Sequence, residues 1–295
     1  MRFKLLSVFF ALQLASFTLW STVFSDPAPQ KDELVTQDES FAHSALELAS
    51  ASLTEASANE IESQEVIPEP VPEAPLYLPN FTTTHASQAD ELINPIQKNQ
   101  LAEVLSVLPA AHVAALKTVT LDYDPQAHRG LGGGSMIILR AVDMASEEFI
   151  AVFIHELAHN VDYAYLPPSE EKTKSAFLDG QMPLYETDPS LDFYRISWFA
   201  HNFRKPEAAT ADFVSGYAMS DPFEDFAETY AYYVLHNEDF KILTQTSDAL
   251  LAKYNFMKNQ VFSGQEFESQ NTNVALDQRP WDVTVLPYDL NEFMG

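Results

Sequence analysis

The chain has 295 residues, 46% of them hydrophobic, which suffices for a sizeable core in one or two domains, and it has no cysteine. Without thiols there can be no disulfide, thiolate metal site or cysteine nucleophile, so any transition metal must be held by His, Asp or Glu. A formal net charge of −27 argues against nucleic acid and anionic membrane surfaces as partners, because both call for clustered Lys and Arg; the acidity reads as a solvated surface.

Residues 1–25 begin with Arg2 and Lys4, continue through an apolar run at 5–20, and reach the small residues Ser21 and Ser25 before Asp26-Pro27. This pattern predicts a secretory signal peptide. Two outcomes stay open. Cleavage yields a secreted or periplasmic protein, whereas retention leaves a single anchor tethering the chain to the inner membrane, the one case in which the membrane is a partner.

Residues 26–93 are predicted to be an acidic linker or pro-segment rich in Pro, Ser and Ala. Between 26 and 91 there are 14 acidic residues and one basic, Lys31, a composition that cannot bury much surface. The proline run at 66–75 forbids both helix and central strand.

A folded domain is expected from Asn94-Pro95 to the end of the chain, residues 94–295. Leu101, Val104, Leu105 and Leu108 recur at helical spacing before Pro109. Residues 119–121 and 136–139 read as short strands, joined by a loop at 122–135 that contains Gly130, Gly132, Gly133 and Gly134. No Lys follows in phosphate-loop position and a strand comes next, so the glycines read as a flexible turn.

Ser146 with Glu147 and Glu148 opens a helix expected to reach about Ala164 before Pro167-Pro168, with Phe149, Val152, Phe153, Leu157 and Val161 on its apolar face. A second strong helix is predicted from Asp221-Pro222 to about His236, packed through Phe226, Tyr230, Tyr232 and Tyr233.

The first helix carries His155-Glu156-Leu157-Ala158-His159. His155 and His159, four residues apart, project from one face ~6 Å from each other and can share one zinc ion. Glu156 lies ~100° around the helix, off the metal but within reach of a nucleophilic water, the place of a general base. Two histidines need a third protein ligand. The longer three-histidine motif is absent, since Tyr165 and Asp162 stand where it requires His and Gly. Glu224 is the best candidate, and Glu228, one turn later on the same face, would orient a zinc-bound histidine, His155 being the first choice.

These pieces, His155-Glu156-Leu157-Ala158-His159-Asn160-Val161-Asp162-Tyr163, Ser215-Gly216-Tyr217 and Glu224-Asp225-Phe226-Ala227-Glu228, resemble the gluzincin peptidases, and more closely the catalytic domain of the anthrax lethal factor family. The resemblance implies that Glu224 binds zinc and that Tyr217 faces the scissile carbonyl as oxyanion stabiliser or proton donor. It also implies that 136–139 forms the edge strand along which an extended peptide or protein substrate lies. The 65-residue separation of His159 from Glu224 exceeds the usual gluzincin spacing and implies an insertion around 165–206.

The fold expected is α+β: a zincin-like metallopeptidase domain with a small mixed sheet packed on an active-site helix and a mainly helical second half. The function expected is a zinc-dependent (Zn2+) peptidase. Two rivals remain, a catalytically silent zinc-binding envelope module and a zinc amidase acting on cell-wall peptides. Plainer roles also stand beside the site residues: Asp221 and Glu224 fit a capping box, Tyr217 a packed aromatic, and Asp162 either support for the ligands or surface. His201, inside the insertion, reads as a surface or satisfied histidine. His85, His112, His128 and His236 lack partners in the pattern and are assigned no role.

Overall fold

Alternation of apolar residues in two short strands sets the centre of the structure. The computed structural model describes residues 78–164, 173–269 and 278–294. The proposed signal peptide, residues 26–77 of the acidic segment and Pro167-Pro168 lie outside these. Strands β1 (Asn80–Thr84), β2 (Thr118–Asp122), β3 (Gly130–Gly133) and β4 (Met136–Arg140) form one sheet in the order β1-β2-β4-β3. The first three in that order run parallel and β3 is antiparallel to β4, so the sheet is mixed. Val119 and Leu121 of β2 and Ile137 and Leu139 of β4 are buried at every second position, which gives the sheet one apolar face. The sheet begins ahead of Asn94, the expected start of the folded part, because β1 at 80–84 pairs along its whole length with β2.

The edge position differs from expectation. Residues 136–139 lie in β4, hydrogen-bonded on both sides, and the edge of the sheet on that side belongs to the glycine-rich β3. Gly130, Gly132 and Gly133 therefore lie in a strand, and Gly134 alone of the four is in the turn. Three glycines and Leu131 can still form a strand here because Gly134 (φ +57°) and Ser135 (φ +76°) make a two-residue turn back into β4. Asn160 fixes that turn, accepting from Ser135 N at 2.7 Å and donating to the Met136 carbonyl at 3.3 Å.

Helices α1 (Asn94–Val107) and α2 (Ala110–Ala114) follow β1, with Leu101, Val104 and Leu105 turned into the core. The long helix α3 (Ser146–Ala164) lies between the sheet and a later helix that begins at Pro222. It is buried far beyond its expected apolar stripe, with Ile150, Ala151, Ile154 and Ala158 fully inaccessible, as a helix covered on two sides must be.

The region after α3 contains the ribbon β5 (Lys174–Asp179) with β6 (Met182–Tyr185), helix α4 (Ser190–Ser197), and the small hairpin of β7 (Trp198–Ala200) and β8 (Phe203–Arg204). Helix α5 (Pro222–Leu235) begins at Asp221, whose carboxylate accepts from Phe223 N and Glu224 N at 2.9 Å each. Phe226, Tyr230, Tyr232 and Tyr233 are all completely buried, as the aromatic pattern of this helix predicts. Helices α6 (Asn237–Leu243) and α7 (Asp248–Phe256) pack beneath, and a C-terminal strap at 278–294 returns to α3 and ends in the short helix α8 (Leu290–Met294). The result is an α+β domain with a mainly helical second half. Among the described residues no helix is long and apolar enough to cross a membrane.

Candidate metal centre

Helices α3 and α5 face each other and bring His155, His159 and Glu224 together, with one donor atom from each lying within 4.8 Å of the others. Glu224 Oε2 stands 3.2 Å from His155 Nε2 and 3.6 Å from His159 Nε2. Donors that sit ~2.0–2.2 Å from a tetrahedral zinc are ~3.3–3.6 Å apart, so this spacing fits a shared ion. Glu224 Oε2 is also buried and has no hydrogen-bond partner among the described residues, which a cation between the three donors would remedy. Because Asp221 caps the helix alone, the Glu224 side chain is not needed for a capping box and turns to the imidazoles instead.

Electrostatics point the same way. Burial would raise the Glu224 carboxyl, but His159 and His155 hold it well below the usual carboxylate range. Burial would lower the pKa of His155, yet Glu224 and Glu228 together raise it well above the ordinary histidine value. Burial and the Glu224 charge push Asp221 up to about 7. A cluster of carboxylates around two largely buried imidazoles asks for positive charge.

Glu228 is fully buried behind His155, with Oε1 2.9 Å from His155 Nδ1. Its other oxygen accepts from Ser215 Oγ at 2.6 Å and from Val283 N at 2.9 Å. Held from the far side, this carboxylate faces Nδ1 of His155, while Nε2 faces Glu224. Ser215 and Val283 had no role in the sequence reading. Ser215 stands beside Tyr217 in the motif that carries the family resemblance, while nothing local marks Val283.

Glu156 lies on the side of α3 toward β3, and burial raises its pKa. The strand approaches it so closely that a Cβ at Gly130 would overlap the Glu156 carboxylate, and one at Gly132 would overlap the Glu156 backbone carbonyl. The Tyr217 ring lies over His155, with centroids 6.0 Å apart and planes 27° from parallel. Burial, followed by the Glu224 charge, raises its pKa far above that of a free phenol, so the hydroxyl keeps its proton.

Asp162 follows His159 by three residues on α3 and is buried. Its carboxylate accepts a hydrogen bond from the Tyr194 hydroxyl and its second oxygen has no hydrogen-bond partner among the described residues, while burial pushes its pKa up to about 6. Among the other histidines, His201 sits at the turn of the β7–β8 hairpin, and His85 is an exposed partner of Asp122 at 2.6 Å.

Two histidines one helical turn apart and a glutamate from a second helix, with a further glutamate flanking them, form a donor set compatible with zinc. The sequence model of a family described as "Putative zinc-binding metallo-peptidase" matches residues 149–291, a span that includes all of these residues. The match supports a zinc metallopeptidase. No curated protein and no solved structure matches the chain.

Proposed function

We propose that the chain is an exported zinc-dependent peptidase that hydrolyses peptide bonds with Glu156 as general base. The observation that carries this reading is the convergence of His155, His159 and Glu224 with the Glu156 carboxylate at their flank. Zinc held by these three side chains would supply a Lewis acid that acidifies water and polarises a carbonyl.

The chain's own residues do the rest. Glu156 takes the proton of the attacking water on its carboxylate and passes it to the leaving amine, a role suited to a carboxyl whose pKa burial has raised. Tyr217, protonated and stacked on His155, donates a hydrogen bond to the oxygen on which negative charge develops. Glu228 holds His155 in place. An extended peptide would pair with the free edge of β3, which lies against Glu156. The likeness to gluzincins supports the roles of Glu224 and Tyr217, and the N-terminal sequence supports export.

The test is cleavage of a peptide library by the zinc-loaded protein and by Glu156→Gln. The variant should retain zinc and lose at least ~10²-fold in kcat. Undiminished cleavage by Glu156→Gln would refute the mechanism. A zinc-loaded wild type inert toward peptides would favour a silent binding module, and turnover confined to muropeptides would favour an amidase.

A further inference from the structure

The C-terminal strap passes directly beside the centre and leaves a large aromatic side chain in the open. Trp281 is 57% exposed, and its ring centroid lies 6.4 Å from that of Tyr217, itself the neighbour of His155. An indole this exposed would ordinarily belong to a mobile tail, but the backbone around it is pinned. Gly216 N donates to Pro280 O at 2.8 Å and Tyr217 N to Trp281 O at 2.6 Å. Arg129, the residue before β3, donates to Asp282 at 2.7 Å, and Val283 N donates to Glu228.

Gly216 is shaped to this indole. A Cβ at that position would stand 2.6 Å from Trp281 Cε3, so only glycine lets the ring lie flat against the segment that carries Tyr217. A rigid aromatic face, held open to solvent one ring away from the catalytic phenol, is ordered before any ligand arrives and costs little to engage. The carboxylates at the floor of the site repel an acidic side chain, and the face itself favours an apolar one.

We propose that Trp281 is a specificity-determining wall of the substrate cleft, which receives a bulky apolar or aromatic side chain next to the scissile bond. This rests on the peptidase reading above. The experiment compares wild type, Trp281→Ala and Trp281→Phe, each as the zinc-loaded full chain, on peptides that carry Phe or Ala at the positions flanking the cleaved bond. The ratio of kcat/KM for Phe over Ala peptides should fall at least ~10-fold in Trp281→Ala, mainly through KM, and be largely restored in Trp281→Phe. A structural role alone would lower both peptides together and leave the ratio intact.

Calorimetric titration of the same peptides into Glu156→Gln, with and without Trp281→Ala, gives a second readout independent of turnover. Loss of the Phe preference in binding supports the assignment. Cleavage with a Phe-to-Ala ratio within about twofold of wild type in Trp281→Ala overturns it while sparing the peptidase reading. A wild type that neither binds nor cleaves any of the peptides overturns both.

Discussion

Gly130 and Gly132 meet Glu156 in different ways, and the difference makes their substitutions separable. A methyl group at Gly132 would run into the Glu156 backbone carbonyl, which belongs to a buried helix and cannot give way. Gly132→Ala should therefore destabilise the domain by about 1–3 kcal/mol in urea unfolding, the usual range for overpacking. At Gly130 the obstacle is the Glu156 carboxylate, which can swing aside, so Gly130→Ala should lose peptide cleavage with a smaller change in stability. Equal loss of stability in both variants would contradict this picture. At this scale the sequence was legible where chemistry follows helical periodicity: His155, His159 and the Glu224–Glu228 pair could be placed from four-residue spacings. The glycines could not, because the need for a missing side chain is visible only once strand and helix are in contact.

At the scale of elements, what holds α5 in place matters most, since it carries Glu224. Asp225, its neighbour, is fully buried and both its oxygens accept from Lys253 Nζ of α7 at 2.8 Å, while Trp198 Nε1 donates at 3.0 Å. The ammonium also lies 4.0 Å from the Phe213 ring centroid. Lys253→Met would strand the Asp225 charge in the core and should cost about 3–5 kcal/mol in urea unfolding, whereas adding Asp225→Asn should recover part of that loss. No recovery in the double variant would show that the network acts by packing rather than by charge. The sheet teaches a related lesson. Residues 119–121 and 136–139 were readable as strands from their alternation, but strand order was not, because a run of glycines has no alternation to read and its edge position is set by the turn at Gly134-Ser135 and by Asn160.

Across the whole molecule, two histidines remote from the metal centre shape acid stability. Burial pushes both His112 and His236 down to about 4. Both are neutral in the folded protein at neutral pH, and their contribution is intact above the unfolded value near 6.5. It is lost as pH falls toward 4, because the unfolded chain takes up protons that the folded one refuses. His236 alone then contributes about 2 kcal/mol of destabilisation by pH 5. Its two ring nitrogens have no hydrogen-bond partner among the described residues, and its ring packs on Tyr232, so His236→Phe should be tolerated. The stability difference between pH 7 and pH 5, read from urea curves, should be smaller in the variant by about that amount, and an identical difference would refute the assignment.

The whole account depends on one ion held between two helices. The most direct measurement is zinc content by elemental analysis of the purified protein and of Glu224→Ala, after dialysis against a weak chelator. The account predicts one zinc per chain in the wild type and little in the variant. Equal zinc in both proteins, or none in a folded wild type supplied with the metal, would contradict it.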